Sequence, residues 1–171
     1  MSGSLVWGRL SAFGLGAAIL ACLLDQASKH WLLNVYGLAG KGAVKVAPFV
    51  DLALTWNTGI SYGWFQQESP LGQAALLAFK AAAVALLWIW LARASSRLSA
   101  LSLGLIIGGA VGNAIDRLTY GAVADFVLLH AETATWRFNW YVFNLADVAI
   151  VAGVIGLLYE SLVGDHAAKA P

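Results

Sequence analysis

Residues 98–117 read LSALSLGLIIGGAVGNAIDR, a run without charge until it ends in Asp116 and Arg117. A bilayer crossing takes about 20 predominantly apolar residues, and Leu98–Ile115 reads as one. Three more windows have the same character: roughly Leu10–Leu33, Leu71–Leu91 and Val142–Val163. Composition agrees, since 60% of the 171 residues are hydrophobic and 11% charged, against roughly a quarter charged in soluble domains. A soluble fold of this length could not hide so much apolar surface, so lipid is the expected solvent. The expected fold class is therefore an all-α membrane protein. It forms one integral domain over 1–171, with four transmembrane helices over 10–33, 71–91, 98–115 and 142–163. A net charge of +1 speaks against a nucleic acid partner. Cys22 is the only cysteine, which excludes an internal disulfide and a cysteine-based metal cluster.

Working outward, the connection Arg93–Arg97 is short and carries two arginines and no acid. Positive-inside bias assigns it to the cytoplasm together with Arg9 and Lys169, so both termini are expected there. Lys41 and Lys45 vote the other way, but Asp51 and Glu68 share their loop. The outer loops then run over 34–70 and 116–141. Trp7, Trp88, Trp90 and Tyr159 would mark the inner interface, and Trp31, Trp56, Trp64, Trp136 and Trp140 the outer one. Within the first outer loop, Val44, Val46, Val50, Leu52, Leu54 and Trp56 recur at even spacing, interrupted by Pro48. That is strand periodicity, and a small β element able to hold an extended peptide is expected there. The tail Gly164–Pro171 reads as a disordered end.

Ionisable groups in or beside a span are costly and usually pair or face a functional cavity. Here they gather at one depth, the outer one. Asp25 and Lys29 lie one turn apart at the end of the first span. Asn113, Asp116 and Arg117 end the third, Asp125 follows, and Asn144 and Asp147 open the fourth. Asp25 and Lys29 can be a simple i,i+4 ion pair. Asn113 and Asn144 can be hydrogen-bond glue between helices, and Asp116 and Arg117 an interfacial pair. Asp125 and Asp147 have no base assigned to them. Two carboxylates at one depth suggest a shared proton, with one acting as base while the other stays protonated. Such a pair can activate water and protonate a leaving amine. Lys80, inside the second span, either snorkels to an interface or faces the bundle interior.

The polar residues fall into four ordered motifs. They are Asp25-Gln26-Ala27-Ser28-Lys29; Asn57-Thr58-Gly59; Gly108 to Arg117, continuing to Val123-Ala124-Asp125-Phe126; and Phe143-Asn144-Leu145-Ala146-Asp147. In this order the chain resembles lipoprotein signal peptidase, or signal peptidase II, a family of aspartyl proteases of the bacterial inner membrane. The resemblance spans nearly the whole chain. It implies cleavage of prolipoproteins just before a cysteine carrying a diacylglyceryl group, at the periplasmic face. It matches Asp125 and Asp147 to the catalytic dyad. Asn113, Asp116, Arg117 and Asn144 match residues that shape the site, and Asp25, Lys29, Asn57 and Gly59 match supporting positions. It also implies a periplasmic β-cradle, a short lid helix, inhibition by globomycin-type depsipeptides, and activity without metal or cofactor, expected as a monomer. Asp116 rivals the dyad pair, but Arg117 beside it and Asn113 one turn earlier favour an orienting role. Departures from the family pattern are Ile60 and Ser61 where small residues are usual, Ala124 where a β-branched residue is common, and Lys80, which matches no motif.

Rival readings have sequence support of their own. Gly59-Ile60-Ser61-Tyr62-Gly63 fits G-x-S-x-G, but a nucleophile elbow needs alternating strands and helices, which the chain lacks. Arg9, an apolar stretch and Ile19-Leu20-Ala21-Cys22 imitate a lipoprotein signal sequence, yet three further spans follow it. A non-enzymatic polytopic protein, either an ion-coupled transporter or an assembly subunit, is the remaining alternative. Transporters usually bind near the midplane and often carry an inverted repeat, and neither feature is seen here.

Overall fold

A computed structural model describes residues 6–59, 70–132 and 135–168. Helix α1 (Ser11–His30) continues into a π-helical turn (Trp31–Val35) and, after Gly37, a short 3₁₀ turn (Leu38–Gly40). Strands β1 (Val44–Ala47) and β2 (Val50–Asn57) follow, then α2 (Pro70–Ala92), α3 (Arg97–Tyr120), β3 (Val123–Glu132), β4 (Arg137–Asn139) and α4 (Leu145–Ala168). Three helical stretches are long and apolar enough to cross a membrane: Ser11–Val35, Arg97–Tyr120 and Leu145–Val163. Helix α2 adds the apolar run Leu77–Ala92.

Helix α3 is the centre of the bundle. α1, α2 and α4 all pack on it, while α2 and α4 hardly meet. The reason is glycine spacing. A Cβ on Gly104 or Gly108 would run into the α1 backbone at Gly14 or Ala18, and one on Gly109 into the Ala146 carbonyl of α4. Small residues let backbones approach where lipid supplies no hydrophobic drive between helices. Leu91, Leu103 and Ile107 fill the remaining space with Ala18. Large side chains such as Leu23, Leu24, Leu86 and Leu158 point outward and are exposed. That inversion suits an apolar surrounding rather than water.

Two boundaries differ from expectation. α3 does not stop at Ile115 but runs to Tyr120, so Asp116 and Arg117 sit within the helix and not on a loop. Its stop signal is Gly121, in the left-handed conformation (φ 74°), whose N–H returns to the Arg117 carbonyl. α4 begins at Leu145 and extends to Ala168, so most of the tail expected to be disordered is helical.

The β element is larger than the even spacing indicated. β1 to β4 form one antiparallel sheet in chain order. β1 and β2 form the expected β element as a hairpin that turns at Pro48 and Phe49. β3 and β4 come from the segment read as a loop. Val123, Ala124, Asp125 and Phe126 are all buried, so β3 is covered on both faces there and has no polar–apolar alternation to read. Phe126 packs with Leu32 and Leu38 against Val44, Leu52 and Leu54, seating the sheet on the end of α1. Among the described residues the short helical elements are the turns Trp31–Val35 and Leu38–Gly40, and the Ser61 motif beyond Gly59 lies outside them.

Candidate active site

The end of α1, the last turns of α3, the start of α4 and the sheet meet at one end of the bundle. Two polar clusters occupy it. The first centres on Lys29, whose Nζ contacts Asp25 Oδ2 at 2.8 Å, Asp116 Oδ2 at 2.7 Å and Asn113 Oδ1 at 3.1 Å. Asp25 Oδ1 accepts the Ala146 N–H of α4 (3.0 Å). Asp116 Oδ2 accepts the Ala124 N–H of β3 (3.1 Å), while Gln26 Nε2 donates to Asp116 Oδ1 (2.8 Å) and to the Gly112 carbonyl (3.1 Å). Asp25, Lys29 and Asp116 are at most 2% exposed. Buried charges persist only when paired and saturated with hydrogen bonds. This cluster satisfies that condition and ties α1, α3, α4 and β3 together. The local i,i+4 pair is real, but its larger effect is to hold Asp116. Gln26, to which its motif assigned no role, bridges α1 to α3 through its amide.

The second cluster holds the other two aspartates. Asn144 Nδ2 donates to Asp125 Oδ1 (2.6 Å) and to Asn113 Oδ1 (3.0 Å). Its Oδ1 accepts the Asp147 N–H (3.0 Å), while Asp147 Oδ2 accepts the Asn144 N–H (3.2 Å). This reciprocal pattern is a capping box at the start of α4, with Asn144 as N-cap and Asp147 three residues on. Asn113 Nδ2 completes it by donating to Asp147 Oδ1 (3.0 Å). From the sheet, Asn57 Nδ2 reaches Asp125 Oδ2 (3.2 Å). The register explains that contact: Asn57 pairs with Val123 and Thr55 with Asp125, so Asn57 and Asp125 are diagonal neighbours on one face. Asn57 Oδ1 accepts the Gly59 N–H (3.0 Å), and the Arg117 guanidinium donates to the Gly59 and Thr58 carbonyls. Arg117 thus holds the turn that presents Asn57, while Asp116 is held by Lys29, Gln26 and the Ala124 N–H.

Asp125 and Asp147 line one cavity of about 660 Å³ with Asn57, Asn113 and Arg117. Its other wall is apolar, built from Val84 and Leu87 of α2 and Val151 and Ile155 of α4. Lys80 also lines it, so of the two readings of that residue the structure supports the interior one. Burial, and secondarily the charge of Asp147, push the Asp125 carboxyl up to about 7, although Asn57, Asn144 and Lys29 pull the other way. A carboxyl that holds its proton near neutrality beside a second carboxylate is suited to acid–base work on a bound water.

The described sheet is antiparallel, unlike the α/β sheet on which a nucleophile elbow sits, and Ser61 itself lies outside the described residues. Cys22 is half-buried within α1.

Comparison with known proteins agrees with the geometry. The profile of the family described as signal peptidase (SPase) II matches residues 17–163. Lipoprotein signal peptidases of Nitrobacter hamburgensis and Rhodopseudomonas palustris are 63% and 62% identical over 158 residues, in each case 92% of this chain and 96% of theirs. A solved structure described as a bacterial membrane enzyme obtained by the in meso method at 2.3 Å aligns with a TM-score of 0.75. It covers 93% of this chain and 92% of that one at 20% identity, a likeness of fold alone. These matches remove the non-enzymatic alternative: the chain belongs to the signal peptidase II family, the aspartic proteases that remove signal peptides from prolipoproteins.

Proposed function

We propose that Asp125 and Asp147 are the catalytic dyad, and that they hydrolyse the peptide bond preceding a diacylglyceryl-modified cysteine. The observation that carries this reading is Asn144. One side chain donates to Asp125 and caps the helix turn bearing Asp147, so both carboxylates face the same cavity in a defined relation. With Asp125 protonated, Asp147 carries the charge of the pair. Asp147 takes a proton from a water held between them, and the resulting hydroxide attacks the scissile carbonyl carbon. Asp125 gives its proton to the carbonyl oxygen, which blunts the developing charge. The proton on Asp147 then passes to the leaving nitrogen as the C–N bond breaks. Asp125 recovers its proton from the intermediate hydroxyl, and the pair is restored.

In this reading α2 is the fourth span, both termini are cytoplasmic, and the sheet and dyad lie at the periplasmic face of the inner membrane. The active unit in this reading is a monomer. Asn113, Asn144, Asn57 and Arg117 orient the dyad, and Asp25, Lys29, Asp116 and Gly59 support those orienting groups. A globomycin-type depsipeptide is expected to compete for the cavity.

The test is cleavage of a diacylglyceryl prolipoprotein by purified wild type and by Asp125→Asn, Asp147→Asn and Asp116→Asn. The first two variants are expected to lose at least about 10³-fold in kcat while still inserting and folding. Full turnover by either one removes it from the dyad.

A further inference from the structure

We infer that Lys80 is a specificity-determining residue that binds the ester carbonyls of the substrate's diacylglyceryl group. This rests on the dyad reading above and deepens it. Lys80 makes no side-chain hydrogen bond or ion pair among the described residues, although its side chain lines the cavity. An ammonium in such a place needs acceptors. Neither dyad carboxylate pairs with it. The oxygens of Asp125 accept amide donors from Asn57 and Asn144, and those of Asp147 accept from Asn113 and the Asn144 N–H. Asp147 and Asp125 act on Lys80 only through space.

The position of Lys80 along the cavity identifies the acceptor. Ala83, Val84 and Leu87, three, four and seven residues on, lie on the same face of α2 and line the same wall. Opposite them, α4 changes from Asp147 to Val151 and Ile155. Lys80 is therefore the polar group at the border between the carboxylates and an apolar slot. Helical side chains lean toward the helix N-terminus, which for α2 is the end nearer the carboxylates. A diacylglyceryl cysteine has the same order of chemistry: peptide bond, thioether, glyceryl ester carbonyls, acyl chains. With the peptide at Asp125 and Asp147 and the chains against Leu87 and Ile155, the two ester carbonyls fall beside Lys80 Nζ. Neutral oxygen acceptors satisfy the ammonium without competing with the dyad for its charge.

The test compares two synthetic prolipoprotein peptides, one with an S-diacylglyceryl cysteine and one with the S-dialkylglyceryl ether, which lacks the ester carbonyls. Wild type should show a KM at least about tenfold lower for the ester, the worth of a charged hydrogen bond. In Lys80→Met the ester KM should rise to meet the ether KM, with the loss in KM rather than kcat, and Lys80→Arg should restore the preference. Cleavage of the ether peptide by Lys80→Met shows in the same assay that the variant is folded. An equal KM for both peptides in wild type overturns the inference. So does an unchanged ester preference in Lys80→Met, or an equal fall in kcat on both peptides, which would mark an electrostatic effect on the dyad. Wild type that cleaves neither peptide overturns the underlying reading as well.

Discussion

Asp116, given a structural role in the proposed reading, and Asp125, given a reactive one, differ in their partners and not in burial. Both are at most 3% exposed. Asp116 meets an ammonium, a side-chain amide and a backbone N–H, whereas Asp125 meets two side-chain amides and an open cavity. Asp116→Asn should therefore act on stability, lowering it by about 1–3 kcal/mol as Lys29 loses an acceptor. The check is a thermal melt in detergent, accompanied by cleavage well above that of Asp125→Asn. The raised Asp125 carboxyl makes a prediction in pH. As the acid of the pair, Asp125 is active only while protonated, so cleavage should fall as pH rises through about 7. Asn57 stabilises the ionised carboxyl, so Asn57→Ala should move that basic limb to higher pH. A limb that stays in place, or moves down, removes Asp125 from the acid role. The motifs made each of these residues legible in the sequence, but not their pairing. Nothing in the spacing of Lys29 and Asp116 shows that they touch, because that contact depends on how closely α1 and α3 pack.

At the scale of elements, the sequence is legible where one face meets an apolar layer and the other does not. Val44, Leu52 and Leu54 alternate for that reason and pack on Leu32 and Leu38, whereas β3, covered on both sides around Asp125, gives no period. The end of α3 was obscured by its own chemistry. Asp116 and Arg117 look like the edge of a loop, yet inside the helix α1 and β3 satisfy Asp116 while Arg117 donates to the Thr58 and Gly59 carbonyls, and Gly121 is the real stop. The start of α4 is where an element and a site coincide. Asn144 caps the helix through Oδ1 and serves Asp125 through Nδ2, and a serine can do only the first. Asn144→Ser should hold stability within a few tenths of a kcal/mol of wild type, since serine is an equally good cap. Cleavage should nevertheless fall at least about tenfold as Asp125 loses a donor. A thermal melt and a kcat measured on the same preparation check both halves. Matching losses in the two would make Asn144 a cap and nothing more.

Across the whole molecule, the two ends of the bundle carry opposite chemistry. One holds the sheet, the carboxylates and their amides. The other holds Arg9, Arg93 and Arg97, with Arg9 donating to the Ser95 carbonyl and Trp88 Nε1 to the Val6 carbonyl (2.9 Å). Trp7 and Trp88 pack there at 5.9 Å between ring centroids, an aromatic pair of the sort that collects at a membrane interface. Composition makes the membrane legible and the short arginine loop gives an expected orientation, but the central place of α3 depends on close approaches at Gly104, Gly108 and Gly109 that hydropathy does not register. Orientation is open to a direct measurement. In a Cys22→Ala background, Ala43→Cys lies just before β1 at the sheet end and Ser95→Cys in the arginine loop, both exposed. A membrane-impermeant thiol reagent applied to spheroplasts should label Ala43→Cys at once, and Ser95→Cys only after the membrane is opened. The reverse pattern would put the carboxylate cavity on the cytoplasmic side, out of reach of substrates that present their cleavage site from the periplasm.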